Sequence, residues 1–260
     1  MSVQFFDDLR RYWNYIWYSA VAELKSQVQG SYLGWMWWIL DPLLFMVVYS
    51  FVTVIVFGQS IEYFPVFVFL GIVTWNFFNV TVNGAVGIIR SYAAVTKKVF
   101  IPKFVIIMAS MMVNLIKFGI GLLIVGTAVA AYRITPSLHL LSAVPVLATL
   151  ILFTFGASVL AAHAGAYVSD LQNVMTVILR FFFYLSGVFY SIERIPDQWQ
   201  TLYNALVPTG FMINQLRNAI MYATPVDYRF LAWWFVIGLI MSIVGLKIMR
   251  KHEKEYMKIG

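Results

Sequence analysis

The 260-residue sequence contains no cysteine. That excludes a disulfide framework, a thiolate metal site and a catalytic thiol. Charge is almost as scarce, with 11% of residues Asp, Glu, Lys or Arg, where a soluble domain carries about 25%. At 62% hydrophobic residues and a mean hydropathy of +0.81, the chain cannot cover a water-facing surface. It is also far too apolar to stay disordered. A bilayer is the remaining solvent, and the length accommodates about five to seven spans with short loops. Catalytic signatures are missing as well. No Gly-Lys is followed by Ser or Thr, so there is no Walker A loop to cradle ATP phosphates. His139, His163 and His252 fit no metal-ligand spacing, and no Gly-x-Ser-x-Gly elbow occurs. Asp41, Asp170, Glu193 and Asp197 form no acid–base pair by spacing. A membrane-embedded glycolipid enzyme survives only through a site assembled from distant residues.

What is present is apolar periodicity. Phe6, Leu9, Trp13, Ile16, Ala20, Leu24 and Val28 recur at three- and four-residue steps, which predicts an amphipathic helix over 1–30. Its Asp7, Asp8, Arg10 and Arg11 do not fit a secretory signal. With Trp17 and Tyr18 beside the stripe, the helix is expected to lie in the membrane interface. Six apolar segments follow, at roughly 33–58, 64–89, 104–132, 138–167, 174–191 and 229–249, each near or above the ~20 residues that cross a bilayer. Residues 250–260 form a short tail. Ser191 to Tyr228 is too polar for a span and too apolar for a loop. Two short re-entrant helices broken at Pro208-Thr209-Gly210 fit it. The expectation is an all-α integral membrane protein of six transmembrane helices, one domain over 1–260.

Charge sets the orientation. With the N-terminus inside, the inner segments hold Arg10, Arg11, Lys25, Arg90, Lys97, Lys98, Lys103, Lys247, Arg250, Lys251, Lys254 and Lys258. The outer segments hold only Arg133, Arg194, Arg217 and Arg229. Twelve against four obeys the positive-inside rule with both termini cytoplasmic. The net +7 is thereby explained without nucleic acid. Lys117 and Arg180 fall within spans. Arg180 is close enough to the inner end of its span to snorkel. Lys117 is either a coupling group of an ion-driven transporter or flippase, or a lysine satisfied by carbonyls or a neighbouring subunit. Ala157, Ala161 and Gly165 show small-xxx-small spacing, which predicts close helix packing.

Several local patterns then resemble one family. They are Glu23-Leu24-Lys25, Ser31-Tyr32-Leu33-Gly34, Trp37, Asp41-Pro42-Leu43-Leu44 and Tyr49; the basic run Lys97 to Lys103 with its Phe100-Ile101-Pro102 turn; and Ser169-Asp170-Leu171. Phe183 to Tyr190, Ile195-Pro196, Val207-Pro208 and Leu216-Arg217 complete the order. Together they resemble the polysaccharide-export permeases of ABC transporters, the O-antigen, capsule and teichoic-acid exporters. Ser169 stands where that pattern has arginine, Gly187 where it has proline and Val207 where it has asparagine.

The resemblance implies a permease in the bacterial plasma membrane, with six spans, an interfacial N-terminal helix and both termini inside. It implies two copies of the chain paired with two copies of a separate ABC ATPase, so that ATP is used by the partner and no cofactor or metal is bound here. The implied substrate is a polyprenyl-linked glycan. A motor needs inner surfaces to push, which points to the N-terminal helix, the Ser91–Lys103 loop and the Tyr167–Asn173 turn, with Arg11, Lys97, Lys98, Lys103 and Asp170 as coupling residues. A sliding glycan needs flat apolar faces and few fixed charges. Trp38, Phe45, Tyr49, Phe183, Tyr184 and Phe189 are the aromatic candidates for its path.

Overall fold

The structure is a computed structural model in which residues 2–56, 58, 61–93 and 101–256 are described. Lys97 and Lys98 lie outside the described residues. The architecture is helical throughout the described residues. Helix α1 (Ser2–Val28) is followed by α2 (Trp37–Ser50), which a 3-10 turn enters at Gly34 and a π turn prolongs over Phe51–Val56. The long helices α3 (Phe64–Ser91), α4 (Lys103–Ala131) and α5 (Ala143–Tyr167) come next. Then follow α6 (Leu171–Leu185), the short pair α7 (Asp197–Leu206) and α8 (Pro208–Ile220), α9 (Tyr228–Lys251) and the one-turn α10 (Glu253–Tyr256).

Five helical stretches, Gly34–Val56, Phe64–Ser91, Lys103–Ala131, Leu138–Tyr167 and Tyr228–Lys251, are long and apolar enough to cross a bilayer. The expected fifth span is shorter: α6 has 15 residues, about 22 Å at 1.5 Å per residue, less than the ~30 Å of hydrocarbon. The chain beyond it turns back through α7 and α8, which break at Val207 as Pro208 opens the second helix. A proline suits a first helical turn, where its missing N–H costs nothing.

Helix α3 is the hub, packed against α2, α4, α5, α6 and α8. Surrounded by apolar helices, it needs no polar face over most of its length. Its threonines turn inward on themselves: Thr74 Oγ1 donates to Leu70 O at 2.8 Å and Thr81 Oγ1 to Phe77 O at 2.6 Å. Thr154 and Ser158 do the same in α5. A hydroxyl in hydrocarbon is thereby satisfied without a neighbouring helix.

The α5–α9 seam is closed by glycine. A Cβ on Gly156 would stand 2.9 Å from Ser242 N and 3.0 Å from Gly238 O, and one on Gly238 would stand 3.0 Å from Phe153 N. Gly165 presses on the Val86 carbonyl of α3. The small-residue stripe is therefore only partly a close-packed surface. Gly165 packs on α3 instead of α9, whereas Ala157 and Ala161 line an apolar cavity of about 380 Å³ beside Phe182 and Met175.

Helix α1 turns part of its apolar stripe onto the bundle. Ile16 and Ala20 are fully buried, and the helix packs along α4 from the Phe5–Phe104 ring contact to a bond from Lys117 Nζ to Gln27 Oε1. Trp13, Trp17 and Tyr18 stay exposed, the amphipathic rings that settle at a headgroup level.

Candidate functional site

A concentration of polar side chains inside the bundle lies between α2, α3 and α6. Asn76, Asn79 and Asn83 sit at three- and four-residue steps on α3 and so share one face. They line a cavity of about 300 Å³ together with Asp41, Phe45 and Tyr49 of α2, Trp75 of α3, and Thr176, Arg180 and Phe183 of α6. Asn83 is fastened. Its Oδ1 accepts from Gln172 Nε2 at 2.8 Å and from Thr176 Oγ1 at 3.5 Å, while the same Gln172 amide also reaches Asn83 O at 3.2 Å. Asn79 and Asn76, one and two turns nearer the start of α3, have no hydrogen-bond partner among the described residues, so their amides offer donors and acceptors to the cavity. Asp41 and Arg180 share the cavity without an ion pair between them.

Aromatic rings form the other wall. Tyr49 stacks on Phe189 with centroids 3.9 Å apart, Phe45 lies 6.1 Å from Tyr49, and Phe183 meets both Phe189 and Tyr184 edge-on. Of the six aromatic candidates, Phe45, Tyr49, Phe183 and Phe189 come together here, with Tyr184 exposed at the edge. Trp38 does not join them. It lies two turns nearer the start of α2 and lines an adjoining cavity, where Lys117 Nζ lies 5.2 Å from its ring centroid. Lys117 is bonded to Gln27, whose Nε2 donates in turn to Glu23 at 3.3 Å. Its partner is a side chain of α1, neither the carbonyls nor the neighbouring subunit offered above.

Arg217 of α8 fastens the turn that follows α6. It was counted above as an outer positive charge, yet it is fully buried. Its Nη1 donates to Gly187 O at 2.8 Å, its Nη2 to Val188 O and Phe67 O at 3.0 Å each, and its Nε to Phe67 O at 3.2 Å. The guanidinium also lies 3.3 Å from the centroid of the Phe67 ring, a cation–π contact. Gly187 and Val188 follow the C-terminus of α6, where the helix dipole is negative. Gly187 has φ +66°, which proline cannot adopt. The departure from proline noted above is thus required by the left-handed turn that aims these carbonyls at Arg217. Tyr203 and Tyr190 cap the last turn through Leu185 O at 2.7 Å and 3.0 Å.

A second feature lies at the basic end of the bundle. A crevice of about 610 Å³ opens between α1, the start of α4 and the end of α9, lined by Asp7, Asp8, Arg11, Lys103, Arg250 and Glu253. Arg250 pairs with Asp8 at 3.2 Å. Burial pushes the Glu253 carboxyl above its usual range, against the pull of Lys103 and Arg250. Lys103 was expected on a surface offered to a motor, but only 4% of it is exposed. Arg11 and Asp170 are exposed. Beside the crevice, Tyr256 OH bonds His163 Nδ1 at 2.7 Å and Tyr167 OH donates to Glu255 at 2.6 Å. His163 and His252, distant in sequence, have rings 5.1 Å apart. Even so, no metal-binding group of side chains forms among the described residues.

A multi-pass helical membrane protein with a polar, aromatic-walled groove against its central helix is the build of a transport subunit. Residues 14–221 match the family model described as ABC-2 type transporter, and the chain belongs to that family. Over 240 residues it is 27% identical to the O-antigen export system permease protein RfbA of Klebsiella pneumoniae, covering 91% of both chains. A protein of the same name from Myxococcus xanthus is 30% identical over 176 residues, 68% of each chain. The polysialic acid transport protein KpsM of Escherichia coli is 23% identical over 245 residues, covering 90% of this chain and 92% of that one.

The groove's asparagines were missed by the sequence reading, which looked for charge and aromatics. The available signal was three amides at helical spacing in the otherwise apolar run Phe64–Ser91. The pairing of Gln172 with Asn83 had no such signal, because the two are 89 residues apart.

Proposed function

We propose that this chain is the membrane-spanning permease of an ABC exporter that moves a lipid-linked cell-surface polysaccharide outward across the bacterial plasma membrane. Two copies would face each other across the exposed faces of α2 and α6, joining two grooves into one path, with both termini cytoplasmic. ATP would be bound and hydrolysed by two copies of a separate subunit docked on α1, the Ser91–Lys103 loop and the Tyr167–Asn173 turn. The observation that carries this reading is the groove itself, in a chain aligned over nearly its whole length with proteins named for polysaccharide export. Amides both donate to and accept from sugar hydroxyls, and aromatic faces stack on apolar sugar faces. The ion-coupled alternative loses its candidate group, since Lys117 is engaged by Gln27.

The test is export by the assembled permease–ATPase complex. Tyr49→Ala with Phe189→Ala removes the closest stack in the groove, and export per complex is expected to fall several-fold while the ATPase stays bound. Unchanged export per complex would return these rings to packing. The absence of native cysteine makes the topology directly measurable. A cysteine at Arg133 is expected to label from outside intact cells, and one at Lys97 only after permeabilisation.

A further inference from the structure

The groove has no charge to spare. Its lining carries one carboxylate, Asp41, and one guanidinium, Arg180, for a formal sum of zero. The other intramembrane cations are turned elsewhere. Lys117 lines an adjoining cavity that shares Asp41 and Asn76 with the groove, but it is bonded to Gln27, and Arg217 is buried among backbone carbonyls. At the basic end, Arg90 is bonded to Ala166 O at 3.2 Å. What faces the cavity besides the charge pair is Asn76, Asn79, Asn83, Thr176 and rings.

Pores for anions and phosphates are built with an excess of Arg or Lys, because a charge stripped of water must be met by its opposite. A phosphate or carboxylate in each repeat would pass Asp41 with only Arg180 to answer it. A neutral sugar asks for less. Its hydroxyls donate and accept, and free amides match both roles.

We propose that the polymer carried by this groove is a neutral glycan, and that polymers with a phosphate or carboxylate in every repeat are excluded by the zero-sum lining. This rests on the groove being the export path.

The permease–ATPase complex in lipid vesicles tests both. It is given two polymers of equal length on the same lipid carrier, a neutral hexose homopolymer and a glycerol-phosphate polymer, and translocated polymer is measured per ATP hydrolysed. The neutral polymer is expected to move at least about tenfold faster, as like-charge juxtaposition in a desolvated site costs several kcal/mol. Asp41→Asn, which leaves the lining at +1, should raise the ratio of anionic to neutral export. Arg180→Gln, which leaves it at −1, should lower that ratio. Equal rates for the two polymers, or a ratio indifferent to both substitutions, would overturn the neutral-glycan inference and leave the export reading standing. If neither polymer moves while ATP is hydrolysed, the export reading falls and the inference with it.

Discussion

Arg217→Leu is expected to cost about 3–5 kcal/mol and to leave little assembled protein in the membrane. The arginine ties three parts of the chain together by side-chain hydrogen bonds: Phe67 of α3, the Gly187-Val188 turn and α8 itself. Leucine would strand the Gly187 and Val188 carbonyls in a buried site, at about 1–3 kcal/mol each, and would forfeit the cation–π contact with Phe67. Arg217→Lys is expected to rescue only partly. A single ammonium cannot reach carbonyls on both sides of a planar fork. The measurement is the detergent-solubilised midpoint of thermal unfolding, with membrane abundance beside it. Wild-type stability in Arg217→Leu would mean that α8 is held by apolar packing alone.

Gly165→Val is expected to have the next largest effect. A Cβ at this position falls on the Val86 carbonyl oxygen, inside any real contact distance, and backbone cannot yield as a flexible side chain can. Overpacking typically costs 1–3 kcal/mol, and here two long helices, α3 and α5, would be pushed apart at the end where Arg90 meets Ala166 O. Ala157→Val is the contrast. It points into the apolar cavity beside Met175 and Phe182, so its effect should be small. Comparable losses for both substitutions would show that the stripe acts as one seam after all.

The long spans were legible because hydropathy reports them directly. The 138–167 segment coincides with Leu138–Tyr167, and the others agree to within a few residues. The fifth was overestimated because the aromatic run Phe181–Tyr190 reads as a continuous span, whereas Gly187 at positive φ turns the chain soon after Leu185. Charge location was less legible than charge number. Arg217 and Lys103 look like surface basic residues in sequence, and both are buried, since burial is decided by what packs across from them. Four of the six chosen aromatics meet in the groove, because rings four or more residues apart on α2 and beyond α6 converge on the same face. Trp38 shares their helix face by spacing but lies two turns nearer the start of α2, beside Lys117, a separation along the axis that spacing on one face does not reveal.

The central claim is that a glycan passes along the face of α3 that carries Asn79. Asn79 and Val80 are neighbours at nearly the same depth, yet Asn79 lines the groove while Val80 lines the adjoining cavity of Lys117. A photo-crosslinking residue placed at each position, activated during export by the complete transporter, separates the two faces. The account predicts a glycan adduct at position 79 and none at position 80. Adducts at 80 but not at 79 would contradict it.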